Sequence, residues 1–109
     1  MKLLNRGFIS VKPTQAFSKW KQKNSEEELI ESINAEATIY LIEEDFWDDE
    51  EMIKKYFKKI ATQEFSNVTA TADNWPKIQD PESFSDFFEI ELGSFVFDLL
   101  KTQIESESI

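Results

Sequence analysis

The sequence predicts an α+β domain, a small two-layer sandwich with a sheet of about three strands and helices packed on it. Apolar residues recur at helical spacing in the middle of the chain, and β-forming runs stand before, between and after the helical segments. The predicted order of elements is β-α-α-β-α-α-β. The length of 109 residues suits one domain, placed at residues 1–100, with residues 101–109 as a polar, loose C-terminal tail.

Residues 45–68 carry the clearest helical pattern in the chain. Acids crowd the first turn, where the helix dipole favours negative charge, and Asp45 or Asp48 is the expected N-cap. Four lysines are expected to face water: Lys54, Lys55, Lys58 and Lys59. Between them a stripe of apolar side chains recurs at helical spacing: Met52, Ile53, Tyr56, Phe57, Ile60, Ala61, Phe65 and Val68. We expect the rest of the chain to pack on this stripe.

The first half of the chain is predicted to hold two strands and two helices. Residues 6–13 are rich in β-forming residues and end at a proline, which predicts a strand. A short helix follows over residues 14–23, and Ser25 with Glu28 forms a capping box that predicts another helix. Residues 37–43 are nearly all apolar or β-branched. That run predicts a strand that is central or covered on both faces.

The last part of the chain is predicted to hold one helix and one strand. Asp80 and Pro81 suit the N-cap and the first position of a helix. Three rings form the apolar face of that helix: Phe84, Phe87 and Phe88. Residues 89–99 predict the final strand, in which the apolar alternation changes phase at Gly93. The change indicates either a β-bulge or a strand buried on both sides from Phe95 onward.

The chain contains no cysteine and no histidine, which excludes several chemistries. Ser–His–Asp and Cys–His catalysis need a histidine, and zinc sites are commonly built on thiolate or imidazole. The two glycines lie far apart, so the sequence has no glycine-rich phosphate-binding loop. We predict no catalytic residue, no cofactor and no metal. With no recognisable signal or membrane-length apolar run, the expected location is cytoplasmic.

The net charge of −10 argues against nucleic acid or an anionic membrane as a partner. The charge is uneven. Residues 1–24 hold six Lys/Arg and no acid, whereas residues 25–109 hold six Lys/Arg and 22 Asp/Glu. Either the basic segment lies against the acidic body of its own chain, or it offers a basic patch to an acidic partner or a second copy.

Candidate partner-binding residues come from two connecting segments. Trp47 stands among three acids, Asp45, Asp48 and Asp49, and Trp75 stands in a predicted turn. Tryptophan is enriched at binding hot spots, but each ring could instead seal the edge of the core. The acids of residues 43–51 could supply oxygen ligands to Mg²⁺ or Ca²⁺. The run lacks the calcium-loop pattern and any glycine, so a solvated helix N-terminus is the favoured interpretation.

The chain resembles a family of small, acidic, uncharacterised bacterial proteins. The resemblance rests on the stretch 11–17 with Trp20, on residues 39–43, on the acid-led helix and on Trp75 with Pro76. It continues through the phenylalanine-rich segment 84–91 and the pair 98–99. It implies a cytoplasmic bacterial domain and transfers no functional residue. Members of that family carry a tryptophan within 84–87, where this chain has Phe87.

We expect a non-enzymatic protein-interaction or regulatory domain that associates with itself as a homodimer or with another protein. The motivation is the lack of catalytic residue types, the 14% of aromatic residues and the acidic bias. One alternative is an acidic inhibitor, of the immunity or nucleic-acid-mimicking kind, that binds a basic protein. A second is a carboxylate-based, Mg²⁺-dependent enzyme.

Overall fold

The computed structural model describes residues 1–24 and 36–109, and these form an α+β fold with two small antiparallel sheets. The described strands are β1 (Lys2–Leu3), β2 (Gly7–Pro13), β3 (Thr38–Ile42), β4 (Phe88–Gly93) and β5 (Phe97–Asp98). The described helices are α1 (Gln15–Asn24), α2 (Asp49–Ser66) and α3 (Pro81–Phe87), with a 3₁₀ turn at Ala72–Asn74. The α+β class is confirmed. The helix predicted to begin at Ser25 lies outside the described residues.

The larger sheet has the strand order β3-β2-β4, and both pairings are antiparallel. In its centre Ile9 lies between Tyr40 of β3 and Leu92 of β4. β1 and β5 form a separate two-stranded ribbon in which Leu3 lies opposite Phe97. The predicted order, with all strands in one sheet of about three, therefore has to be corrected to five described strands in two sheets.

One face of the larger sheet and the three helices share a single core. Burial alternates along β2, where Gly7, Ile9 and Val11 are buried and the residues between them are less so. This alternation is the mark of a strand with one covered face. The buried apolar residues come from sheet and helices alike: Ile9, Val11, Phe17, Ile42, Met52, Phe57, Ile60, Ala61, Phe65, Phe84 and Phe88. Five of the ten phenylalanines thus lie in the core, and Phe46 and Phe87 pack against it, so most of these rings serve packing.

Helix α2 matches its sequence prediction closely. It begins at Asp49 because the Asp48 carboxylate accepts a bond from the Glu50 backbone N–H at 3.0 Å, which makes Asp48 the N-cap. Every residue of the predicted apolar stripe is buried or packs on the core, and the four lysines are exposed. Glu64 is the exception that the pattern does not predict, since it is only 6% exposed.

The prediction that residues 37–43 form a central or doubly covered strand is wrong. β3 is an edge strand that pairs with β2 alone in the described sheet. Ile42 is buried and Tyr40 is half-buried, whereas Ile39 and Leu41 are exposed on the other face. An apolar run does not itself reveal how many faces are covered, because edge strands also expose apolar side chains.

The prediction of one strand over residues 89–99 is also wrong. β4 ends at Gly93, and the chain then leaves the larger sheet to pair with β1. A Cβ atom at Gly93 would lie 2.4 Å from the Phe8 ring, so the ring occupies the space where a side chain would stand. The phase change therefore marks the separation of two strands. It marks neither a bulge within one strand nor a doubly buried run, since Phe95, Phe97 and Leu99 are exposed.

The basic first segment makes no ion pair with an acid among the described residues. The Lys2 ammonium donates to the backbone carbonyls of Lys101 and Thr102, each at 3.3 Å. The described ion pair joins Lys55 to Glu43. Residues 103–109 contain no helix or strand and are exposed. None of the described helices combines the length and the apolar character that crossing a membrane requires.

Candidate functional site

Four of the five predicted partner-binding residues lie together in the connection between β3 and α2. We call this segment, residues 43–49, the acidic loop. Asp45 and Asp49 are exposed, and one carboxylate oxygen of Asp48 accepts the hydrogen bond that caps α2. Trp47 is fully exposed, with a relative accessible surface of 103%. An exposed indole ring beside three carboxylates is available for contact with a partner, whereas a ring packed against its own chain is not.

Trp75 lies at the other end of α2 and does not join the acidic loop. Its indole N–H donates to the Thr69 carbonyl at 2.8 Å, and its ring packs against the core near Phe65. Phe65 follows Asp48 by 17 residues, which at 1.5 Å per residue is about 25 Å along the helix. This position matches the interpretation in which Trp75 seals the edge of the core. Trp20 does the same from α1, since its indole N–H donates to the Asn74 carbonyl at 2.8 Å.

An open depression of about 230 Å³ lies beside Trp75. It is lined by Lys58, Ala61, Thr62, Phe65, Trp75, Pro76 and Ile78. Pockets that enclose small ligands usually measure about 300–1,000 Å³ and offer several convergent polar groups. Here the side-chain polar groups are one ammonium, one hydroxyl and the indole N–H that already bonds Thr69. The depression therefore has no arrangement for acid–base chemistry.

Glu43, the first residue of the acidic loop, forms a polar cluster with two side chains of α2. Its carboxylate accepts bonds from the Lys55 ammonium at 2.6 Å and from the Tyr56 hydroxyl at 2.7 Å. The bond from Lys55, and then the bond from Tyr56, lowers the pKa of Glu43 from 4.5 to about 2. The same contacts raise the pKa values of Lys55 and Tyr56. The cluster joins the end of β3 to α2, and its ammonium offsets one of the loop's charges.

The lowered pKa of Glu43 predicts a defined pH dependence of stability. The unfolded carboxyl titrates near 4.5 and the folded one near 2. The contribution of Glu43 to stability is therefore fully present above about pH 4.5 and is lost as the pH falls toward 2. We expect the melting temperature of the wild type to exceed that of Glu43→Gln by a constant margin near neutral pH. That margin should shrink below about pH 4.5, as followed by circular dichroism.

Glu44→Gln is the matched control for this experiment, because Glu44 is exposed and makes no ion pair with a described residue. The melting temperature of Glu44→Gln should differ little from that of the wild type over the whole pH range. A margin for Glu43→Gln that does not change between neutral pH and pH 3 would contradict the role of the charged carboxylate.

A second polar pair lies under β3, between the sheet and α2. The Tyr40 hydroxyl donates to the buried Glu64 carboxylate at 2.7 Å. Burial raises the pKa of the Tyr40 phenol far above its ordinary value, and the bond to Glu64 and its charge add to the effect. The pair lies on the core side of the sheet and links β3 to α2. The hydrogen bond from Tyr40 satisfies the buried Glu64 carboxylate, which accounts for an acid within the apolar stripe.

The described residues offer no group of three or more carboxylates close enough to share a metal ion. The acids of the acidic loop are instead spread along an exposed connection and the first turn of α2. What the loop presents to solvent is negative charge and one indole ring.

The sequence predictions missed a large apolar surface on the two-stranded ribbon. Leu3 lies opposite Phe97, and the Leu4 N–H donates to the Val96 carbonyl at 2.8 Å. Residues directly opposite each other in a sheet share a face, so Leu3 and Phe97 lie on one face of the ribbon. Three further apolar residues flank the two short strands, and together these five are all exposed: Met1, Leu3, Phe95, Phe97 and Leu99. We call this set the ribbon face. The alternate spacing of Phe95, Phe97 and Leu99 is visible in the sequence, but the exposure of their side chains is not.

Comparisons with protein-family models, with curated proteins and with solved structures found no match to this chain. Three surfaces of the molecule are available for contact with a partner: the ribbon face, the β3 edge and the acidic loop.

Proposed function

We propose that the protein is a non-enzymatic interaction domain that self-associates through the ribbon face. The observation that carries this proposal is the exposure of five large apolar side chains in and beside two short strands, with Leu3 directly opposite Phe97. Contiguous apolar patches on a protein surface mark interaction sites far more often than single exposed residues do.

The face of the ribbon that carries Leu3 and Phe97 is largely exposed among the described residues. A two-stranded sheet is marginally stable alone and gains stability when its apolar face is covered. Leu3 is 59% exposed and Phe97 is 53% exposed, although they face each other across the two strands. A second surface packed on them would bury two phenylalanine rings per chain, and rings of this kind dominate the energetics of interfaces.

Charge favours a second copy of the chain as the occupant of this face. Two molecules of net charge −10 repel each other over most of their surfaces. The ribbon region is an exception, because residues 1–6 carry two cations and residues 94–102 carry one acid and one lysine. Contact at this end brings together parts of two copies that carry no excess of negative charge. A two-fold arrangement would pack one ribbon face on the other as a self-complementary interface.

We expect a homodimer in solution, measured as mass by light scattering coupled to size exclusion. Loading concentrations from about 1 µM to about 1 mM cover association free energies of about −8 to −4 kcal/mol. An apolar contact between acidic molecules should hold at high salt, where screening weakens their repulsion. A monomer over this whole range would overturn the proposal.

The double variant Phe95→Thr with Phe97→Thr locates the interface, because threonine keeps β propensity while removing the rings. We expect at least about a tenfold rise in the dimer dissociation constant, as for loss of a hot spot. The matched control is Ile39→Thr with Leu41→Thr, which removes two exposed apolar side chains from a different surface. Equal weakening by both double variants would contradict the ribbon face as the interface. Circular dichroism verifies that each variant is folded.

A further inference from the structure

The outer edge of β3 has no pairing strand among the residues that the structure describes. Among residues 1–24 and 36–109, β2 is the only strand beside β3, and no other described backbone group bonds to Thr38–Ile42. Such an edge offers free N–H and C=O groups to another chain, and proteins commonly guard it with lysine, proline or a bulge. β3 has none of these, whereas β4 at the opposite edge carries Glu89 and Glu91. The two edges of the sheet therefore differ in charge, and β3 is the edge without charged side chains.

The same strand presents an apolar face beside its open edge. Ile39 and Leu41 are 55% and 50% exposed and point away from the core. Phe8 lies opposite Leu41 on β2, so the apolar surface continues onto the central strand. A strand added to β3 would place every second side chain about 5 Å from Ile39 or Leu41. Backbone bonds would supply affinity, and these cross-strand contacts would select apolar residues at alternate positions.

The charges at both ends of β3 exclude a second copy as the best occupant. Glu36 precedes the strand, and Glu44 and Asp45 follow it. Antiparallel pairing of two β3 strands about Tyr40 would set Glu36 of each opposite Glu44 of the other. Like charges directly opposite each other are destabilising. The same acids would attract a strand that ends in Lys or Arg.

Trp47 adds a second recognition element at one end. It follows Ile42 by five residues, so it lies within about 18 Å of the end of the strand. Its fully exposed ring can stack with a lysine or arginine side chain, an interaction strengthened by the neighbouring carboxylates.

We propose that the β3 edge binds an extended segment of a partner protein in which apolar residues alternate and basic residues flank them. The segment adds a fourth strand to the larger sheet, rests its apolar side chains on Ile39 and Leu41, and directs a basic end toward the acidic loop. This inference goes beyond the proposed function, because the surface and the partner both differ from those of self-association.

The test uses a labelled peptide pool whose alternate positions are varied among apolar residues, with Thr between them and Lys at both ends. Binding is followed by fluorescence anisotropy at low and high salt. We expect dissociation constants in the micromolar range and a clear loss of affinity with salt. A pool with Glu in place of the terminal Lys should bind at least about tenfold more weakly. No binding of the basic pool at concentrations up to about 1 mM, or equal binding of both pools, would overturn the proposal.

Two variants and one further measurement locate the bound peptide. Ile39→Thr with Leu41→Thr should weaken binding about tenfold, whereas Phe95→Thr with Phe97→Thr should leave it unchanged. The second pair changes only the ribbon face, so the two proposals succeed or fail separately. Amide hydrogen exchange should slow at Thr38–Ile42 on addition of peptide, because newly bonded N–H groups are protected. Peptide binding without this protection would place the site elsewhere and would overturn the assignment.

Discussion

Replacing Phe65 by alanine is expected to remove about 3–5 kcal/mol from the free energy of unfolding, the usual cost of truncating a buried aromatic residue. Phe65 is 2% exposed. Its ring lies 4.9–5.9 Å from four others, those of Phe17, Trp20, Phe87 and Phe88. These rings come from both flanking helices and from β4, so the cavity would open where α1, α2 and α3 meet the sheet. Because domains of this size hold about 5–15 kcal/mol in total, the variant should be close to unfolding at 37 °C.

Urea denaturation followed by circular dichroism measures the loss at Phe65. Trp47→Ala is the matched control, since it also truncates an aromatic residue but one that is fully exposed. That change should alter the free energy of unfolding by no more than about 0.5 kcal/mol. A loss of less than about 1 kcal/mol for Phe65→Ala would contradict the central position of this ring.

Replacing Gly7 by alanine should destabilise the protein by about 1–3 kcal/mol, the cost of forcing an extra methyl group into a packed interior. A Cβ atom at this position would lie 2.9 Å from the carbonyl oxygens of Glu43 and Gly93 and from the ring of Phe46. Two of these neighbours are backbone atoms of the flanking segments, so relief requires the strands to shift. The measurement is again the midpoint of urea denaturation.

Gly93→Ala is the control that isolates this effect. It makes the same chemical change in the same sheet, and the three atoms nearest to the added Cβ would all be ring atoms of Phe8, the nearest at 2.4 Å. A half-buried ring can rotate away where a backbone carbonyl cannot, so Gly93→Ala should cost less than Gly7→Ala. The reverse order would show that the contact between Phe8 and Gly93 is the tighter constraint.

Local patterns in the sequence were sufficient for the parts of the fold that depend on local interactions. The stripe of α2, its Asp48 cap and the Asp80 cap of α3 are all set by side chains within a few positions of each other. The strand at β2 follows from its β-forming residues and its terminal proline. The residue types alone also excluded histidine and cysteine chemistry.

The candidate site was predicted in part. Trp47 and its neighbouring acids were identified because an indole among carboxylates in a connecting segment is unusual for a core residue. Trp75 carried the same signal, yet its ring packs on the core and its N–H is satisfied by the Thr69 carbonyl. The ribbon face was missed, since an alternating apolar run gives the same signal whether its face is buried or open.

Only the tertiary structure decided which surfaces are free. Whether residues 38–42 sit at the centre or the edge of a sheet depends on which distant strands pair with them, and here β2 pairs on one side alone. The departure of the chain at Gly93 depends on the Phe8 ring and on the pairing with β1. Which distant strands pair is determined by contacts between residues far apart in the sequence. The spacing of apolar residues within one strand does not reveal which of these contacts form. The apolar stripe, the caps and the charge could therefore be read from the sequence, whereas the open β3 edge and the exposed ribbon face could not.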